Sequence, residues 1–284
     1  MTKVIAFDIG GTNSRITLFE HGKIVWRDEA ATPGAQGPEA VMDTMMALHS
    51  KVSALNVPVG VAITGHIVDG HVTAHNPVIL PGWQGYPLET ALAARLNVPV
   101  CVVNDARAAA WGEYVFGAGR GHDEFLFITV STGVGAGLIL NRRLHIARNG
   151  FDAEMGLMMT EDGENLEHHA SGTAVGRLAI EHGYASGKSL CDAADAGDPV
   201  AEKLLRHGIR EIAKKCADMA VMLGILRVAI GGGLGLRPGY LARLREELAR
   251  FPGLYHVELV PAELGHDAGL YGAAAMATTC SVKN

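Results

Sequence analysis

One pattern limits the fold of this chain more than any other: strand, glycine turn, strand, polar turn, strand, and it occurs twice. The first copy is Val4-Ile5-Ala6-Phe7-Asp8-Ile9, then the turn Gly10-Gly11-Thr12-Asn13-Ser14, then strands over 15–19 and 24–26 around His21-Gly22-Lys23. The second is a strand over 125–130, a turn over 131–137 (Ser-Thr-Gly-Val-Gly-Ala-Gly), and strands over 138–140 and 144–146 around Asn141-Arg142-Arg143. Such a repeat reads as an internal duplication. Two related lobes would each carry one glycine turn, and the two turns would flank one cleft.

Helical spacing marks residues 38–55, 87–96, 106–115, 199–224, 240–250 and 269–278, with Pro38 suited to a first turn. Short apolar strands read at 59–64, 98–103, 227–230 and 257–260. Alternating strands and helices give an α/β architecture. The expected lobes are residues 1–115, completed by 265–284, and residues 116–264.

With 284 residues, 48% hydrophobic and 19% charged, the chain can bury a sizeable core. A net charge of -6 and no basic stripe argue against nucleic acid as a partner. Backbone amides and a metal ion can still hold a small anion. Cys101, Cys191, Cys216 and Cys280 are scattered, without paired metal spacing, and read as reduced thiols. Met1-Thr2-Lys3 leads straight into a strand, and no run of about 18 apolar residues occurs. The expectation is a cytoplasmic protein without a membrane partner.

Asp8 ends an apolar strand just before two glycines. A charge there is costly in a plain core strand. It suits a magnesium-water ligand beside a phosphate-binding turn, in which Gly10 and Gly11 permit close approach and Thr12 and Asn13 add short polar groups. The bland alternative is a capped hairpin. Thr132, Gly133, Val134, Gly135 and Gly137 would form a second amide-lined cradle. Two turns in matching positions fit one polyphosphate gripped from both sides better than two ordinary hairpins. Gly232 and Gly233, in the cluster 231–235 after a strand, would let an adenosine ring approach the backbone; alone, a tight strand-to-helix connection explains them as well. Asn104-Asp105 ends another strand where α/β folds place ligands. Asp105 there can accept the proton of an attacking hydroxyl, and it can also cap the following helix. Arg107 and Glu113 read as surface or pairing residues.

In order, Asp8-Ile9-Gly10-Gly11-Thr12-Asn13, Val103-Asn104-Asp105-Ala106, 129–135 and Gly231-Gly232-Gly233 resemble the motifs of the ROK family of sugar kinases over nearly the whole chain. The resemblance implies an actin-like, hexokinase-like two-lobed fold, ATP phosphates at both turns, magnesium near Asp8, and Asp105 as general base. It implies sugar contacts from Gly65, Asn76, Asn104, Asp105, Glu154 and Glu167, and a homodimer. Carboxylates suit sugars because each accepts two directional hydrogen bonds. Asn76-Pro77 together with 104–113, 127–135 and 266–274 is similar to the bacterial N-acetylmannosamine kinases of this family. That implies 6-phosphorylation of N-acetylmannosamine in sialic acid catabolism, with glucose or another hexose as the alternative.

The sequence departs from the family at one place. Many members have Gly-His after the first sugar glutamate and then a cysteine-rich zinc loop. Here Leu157 follows Gly156, and residues 158–166 hold no cysteine, so no zinc is expected. His168 and His169 are adjacent, cannot share a helix face, and read as structural. Gly183 to Ser189 falls one residue short of a P-loop and reads as a helix end and loop. No G-x-G-x-x-G between strand and helix supports a dinucleotide site. A sugar-sensing regulator of the same family would need a DNA-binding segment ahead of Asp8.

Overall fold

The computed structural model describes residues 3–52, 55–75, 77 and 80–280. Its contacts resolve into two units: Met1–Phe116 with Ile146–Asp152 and His266–Asn284, and Gly117–His145 with Ala153–Gly265.

In the first unit the chain runs β1 (Lys3–Ile9), β2 (Asn13–Glu20), β3 (Lys23–Ala31), α1 (Pro38–His49), β4 (Val59–Ile63), β5 (His66–Val68), β6 (His71–Thr73), α2 (Leu88–Leu96), β7 (Val100–Asn104) and α3 (Asp105–Phe116). The main sheet has the order β3-β2-β1-β4-β7. β1 to β3 form an antiparallel meander, and β4 and β7 add in parallel. β1 is buried on both faces, which is why it is apolar almost throughout. Ile5, Phe7 and Ile9 meet α1 and α2 through Met42, Met45, Leu88 and Leu92. Val4 and Ala6 share the other face with Ala108 of α3 and Leu270, Ala273 and Ala274 of the last helix. By alternation, Asp8 lies on that second face.

The second unit runs β8 (Phe125–Val130), β9 (Val134–Leu140), β10 (Arg143–Leu144), α4 (Leu166–Ala170), α5 (Gly172–Glu181), α6 (Gly187–Asp195), α7 (Pro199–Leu223), β11 (Arg227–Gly231), α8 (Tyr240–Leu248) and β12 (Glu258–Pro261). The sheet order β10-β9-β8-β11-β12, with the same pattern of antiparallel and parallel neighbours, repeats that of the first unit. The duplicated meander is therefore a duplication of the whole five-stranded sheet. α7 is framed as its sequence dictates: the Asp198 side chain accepts from the Val200 and Ala201 N–H groups, Pro199 opens the helix, and Gly224 closes it at φ 68°. Cys101, Cys191 and Cys216 are buried and in no disulfide, and burial pushes the Cys216 thiol up to about 12. Among the described residues no helix is long and apolar enough to cross a membrane.

Three local expectations need correction, and one hairpin was not anticipated. The second glycine turn is only Ser131 to Gly133: Val130 already pairs with Val134, so Gly135 and Gly137 lie inside β9, opposite Thr129 and Phe127. The third strand of the second meander stops at Leu144. The stretch Gly183 to Ser189 is not loop throughout, because Ser186 and Ser189 form a capping box that starts α6. β5 and β6, joined by Asp69 and Gly70 at φ 47° and 73°, were not anticipated; Asp-Gly between two apolar pairs was the available signal.

α9 (Ala268–Cys280) belongs to the first unit and packs against α3 through missing side chains. A Cβ at Gly272 would lie 1.7 Å from the Ala108 carbonyl oxygen, and one at Gly112 2.4 Å from that of Ala268. The helices touch backbone to backbone, and α3 begins at Asp105. Gly272→Ala is therefore expected to destabilise by about 1–3 kcal/mol in chemical denaturation. Gly253→Ala, where a Cβ meets nothing within 4 Å, should stay within about 0.5 kcal/mol.

Candidate active site

The parallel register of the first sheet aligns three strand ends. Ile9 pairs with Ile63, and Ile63 with Asn104. The residues that leave these ends are Gly10, Thr64 and Asp105. Carboxyl ends of parallel strands are where an α/β sheet offers a ligand its loops and helix N-termini.

Asn104 is buried and almost fully engaged. Its Oδ1 accepts from the N–H groups of Ala106 and Arg107 at 3.0 and 3.2 Å, and its Nδ2 donates to Gly65 O at 3.0 Å. Asn104 thus takes the capping task that Asp105 might have had, although Asp105 Oδ1 also accepts from Ala106 N at 2.8 Å. Gly65 needs to be glycine: its φ is 119°, and a Cβ would lie 2.9 Å from Thr73 O. Asn76 lies outside the described residues.

Asp105 and Asp8 are both held above the ordinary carboxylate value of 3.8. For Asp105 burial is the main cause and the negative charge of Asp8 the second, against the Ala106 N–H, its own backbone N–H and His75. For Asp8 burial again leads, opposed by the charge and hydrogen bond of Arg15, while Asp267 adds to the rise. Arg15 Nη2 donates to Asp8 Oδ2, and Arg15 Nη1 lies 3.7 Å from Asp267, which also takes Arg27 Nη2 at 3.1 Å. Sequence reasoning missed Arg15. The hairpin register contained it, because Asp8 and Arg15 are directly opposed across β1 and β2.

The two glycine turns offer donors in the same way. In the first, Gly10 N–H closes the turn onto Asn13 O at 3.0 Å, and among the described residues none accepts from the N–H of Gly11 or Thr12. Gly11 has no positive φ, and a Cβ there would meet nothing within 4 Å, so the fold itself does not demand glycine. Asn13 is already the first residue of β2. In the second turn Ser131 N–H closes onto Gly133 O at 2.9 Å, and among the described residues none accepts from the N–H of Thr132 or Gly133. Val134 N–H is taken by Glu167 Oε2 at 2.8 Å.

Glu167 sits on α4 against this turn, and a Cβ at Gly133 would come within 2.4 Å of its Oε2. Glu154 precedes the short 3-10 turn Met155–Leu157 and follows Ala153, a non-glycine residue at φ 54°. Gly156 presses this segment onto Val134 O, where a Cβ would lie 2.3 Å away. The third glycine cluster folds onto the end of β8: Leu234 and Gly235 N–H both reach Val130 O at 3.0 Å. Gly232, at φ 83°, is sterically required, whereas Gly233 is exposed with room for a Cβ. The second unit thus gathers Thr132, Gly133, Val134, Glu154, Glu167, Gly232 and Gly233, while Gly137 lies deeper in its sheet.

The ROK family profile matches residues 4–280. The chain belongs to the ROK family. It is similar, at 36% identity over 290 residues, to an N-acetylmannosamine kinase of Escherichia coli O1:K1 / APEC, covering 96% of this chain and 97% of that protein. It is also 36% identical over 281 residues to the bifunctional enzyme NanE/NanK of Brucella melitensis biotype 1, covering 97% of this chain but 54% of that protein. The chain thus spans about half the length of this relative. A ROK family glucokinase from Streptomyces griseus, solved with glucose and AMPPNP, is similar with a TM-score of 0.82 and 31% identity, covering 98% of this chain and 99% of the other. The α/β architecture is accordingly the actin-like fold of ROK kinases, and the chain's homologues are ATP-dependent sugar kinases.

Where many ROK members are expected to carry a zinc loop, this chain closes the segment with hydrogen bonds. Thr160 Oγ1 donates to Asp162 Oδ1 at 2.7 Å, Glu164 N–H donates to the same oxygen at 3.2 Å, and His169 Nε2 lies 3.1 Å from Asp162 Oδ2. The Thr160 hydroxyl first, then the Glu164 N–H, hold the Asp162 carboxyl at about 2. His169 also meets His207 at 3.3 Å. Among the described residues no group of three or more His, Cys, Asp or Glu side chains is placed to hold a metal ion. Arg107 and Asp152 form a buried ion pair at 2.6 Å, with Arg107 also donating to Gly150 O.

The raised value of Asp105 is also a stability statement. A carboxyl whose folded value is raised favours the folded state at pH below its unfolded value, and that advantage is lost as pH rises through the folded value. At neutral pH, above its unfolded value, Asp105 therefore costs stability. Asp105→Asn should raise the melting temperature at pH 7, and the gain should shrink as pH falls toward 3.8 in a series of thermal scans.

Proposed function

We propose that this chain is an ATP- and magnesium-dependent sugar kinase that phosphorylates the 6-hydroxyl of N-acetylmannosamine, in sialic acid catabolism. The observation that carries the reading is the desolvated pair Asp8 and Asp105 at aligned strand ends, next to a turn with two uncommitted amides. Asp105 accepts the proton of the sugar hydroxyl as it attacks. Its raised basicity makes it a stronger acceptor than an ordinary carboxylate. The amides of Gly11 and Thr12, and those of Thr132 and Gly133, bind ATP phosphate oxygens, and Gly232 and Gly233 admit the adenosine. Asn13 and Val134 begin the strands that leave these turns, and Gly135 and Gly137 lie behind the second turn in β9.

Magnesium, when bound, neutralises phosphate charge. Asp8 suits it as a hard oxygen ligand, directly or through water, because magnesium needs only one or two protein carboxylates beside phosphate and water. Gly65 keeps the sugar site open, Asn104 retains one Nδ2 hydrogen for a sugar hydroxyl, and Glu154 and Glu167 accept from others. The reading includes a cytoplasmic homodimer and no zinc. The names of the Escherichia coli relatives support N-acetylmannosamine. The likeness to the Streptomyces glucokinase, together with Leu157 at the family histidine position, keeps glucose as the second reading.

The test is ATP-dependent phosphorylation over N-acetylmannosamine, N-acetylglucosamine, glucose, mannose, fructose and allose, with an EDTA control. N-acetylmannosamine should be turned over with the highest kcat/KM. Asp105→Ala should lower kcat by about 10²–10⁴-fold without loss of fold. Near-normal kcat in that variant would remove Asp105 from the mechanism, and a clear preference for glucose would replace the pathway.

A further inference from the structure

The turn from Ser131 to Gly133 is gripped by the start of α5, and the grip decides where its two uncommitted amides point. Gly172 N–H donates to Ser131 O at 2.7 Å. Thr173 donates twice to Thr132 O, from its N–H at 3.1 Å and from its Oγ1 at 2.8 Å. The contact is close enough to need glycine at 172, where a Cβ would lie 2.6 Å from Ser131 O. Beyond the turn, Glu167 takes the Val134 N–H.

A trans peptide unit is planar and sets its C=O and N–H in opposite directions. The units joining Ser131 to Thr132 and Thr132 to Gly133 are both trans. Their carbonyls point at α5, so the N–H groups of Thr132 and Gly133 point away from it. Ser131 and Thr132 are exposed, which leaves the turn within reach of a ligand.

The helix itself has no donor left for that ligand. The N–H groups of Gly172 and Thr173 are spent on the turn, that of Ala174 on Ser171 Oγ at 3.0 Å, and that of Val175 on Ser171 O at 3.0 Å. The partial positive charge of the helix start therefore acts on the two turn carbonyls. A polarised carbonyl makes the N–H of its own peptide unit a stronger donor. Thr173 Oγ1 has given its one hydrogen to Thr132 O, so it cannot donate to an anion.

We infer that Thr173 is a positioning residue for the phosphates of the nucleotide. By holding Thr132 O, its hydroxyl aims the Gly133 N–H and strengthens it, and the turn becomes a preformed anion cradle one peptide unit removed from a helix N-terminus. The inference rests on the kinase reading above and adds to it the residue that sets the cradle.

Calorimetric binding of AMPPNP and of adenosine to the whole protein, with magnesium present, tests it. Thr173→Val keeps the shape of the side chain and removes the donor. It should weaken AMPPNP by about three- to tenfold and leave adenosine and N-acetylmannosamine unchanged. Thr173→Ser keeps the hydroxyl and should bind AMPPNP like wild type. Thr173→Ala should repeat the valine result, which keeps the test intact if the valine variant folds poorly. Equal weakening of AMPPNP and adenosine, unchanged AMPPNP affinity in Thr173→Val, or a loss in Thr173→Ser as large as in Thr173→Val would overturn the inference. Selective weakening of AMPPNP in a protein that phosphorylates no sugar would keep the inference and remove the kinase reading. Sugar phosphorylation with an unchanged KM for ATP in Thr173→Val would do the reverse.

Discussion

The parallel pairing of β1, β4 and β7 is the constraint on which the rest depends. It sets Ile9, Ile63 and Asn104 in one row, so the chain leaves three strands at one edge. Two carboxylates are then desolvated near one another, each held above its ordinary value. Arg15 meets part of the charge of Asp8 from the neighbouring antiparallel strand. Among the described residues no such cation is bonded to Asp105, and the Ala106 N–H fixes one of its oxygens. The fold thus keeps a poorly solvated carboxylate at a position that Asn104 makes rigid. The close packing of α3 on α9 extends that rigidity along the helix that Asp105 begins.

The second unit repeats the connectivity and changes the details. Its turn is one residue shorter between paired strand residues, since Val130 pairs with Val134 where Ile9 pairs with Ser14. Both turns still leave two N–H groups uncommitted. The glycines divide into two kinds. Gly156 and Gly232 are required by neighbouring backbone that a Cβ would strike, whereas at Gly133 the group struck is the Glu167 carboxylate. Gly11 and Gly233 are not, and their bareness is left for a ligand to explain. Gly133 in turn lets Glu167 reach Val134, so the carboxylate proposed for sugar is also a brace for the turn.

Much of this was legible in the sequence, because period-2 and helical patterns survive wherever a segment is buried on one face or framed by Pro, Asp or Gly. Asp8 and Asp105 stood out as charges ending apolar strands. The duplicated meander was visible because its turns are glycine-rich. What stayed hidden depended on contacts distant in sequence. Gly135 and Gly137 read as turn until the register with Thr129 and Phe127 drew them into a strand. The hold of Glu167 on the Val134 N–H is likewise a contact across the fold. α4, α5 and α6 are short, so the local capping by Asn165, Ser171 and Ser186 that starts them was the available signal.

The central claim is that Asp105 is a base made strong by burial and by the charge of Asp8. Its carboxyl titration in the ligand-free protein, followed by carbon-13 NMR with Asp8→Asn as the comparison, tests this most directly. The account predicts a midpoint clearly above the ordinary carboxylate value in wild type and a lower one in Asp8→Asn. A midpoint at or below that value, unmoved by Asp8→Asn, would contradict it.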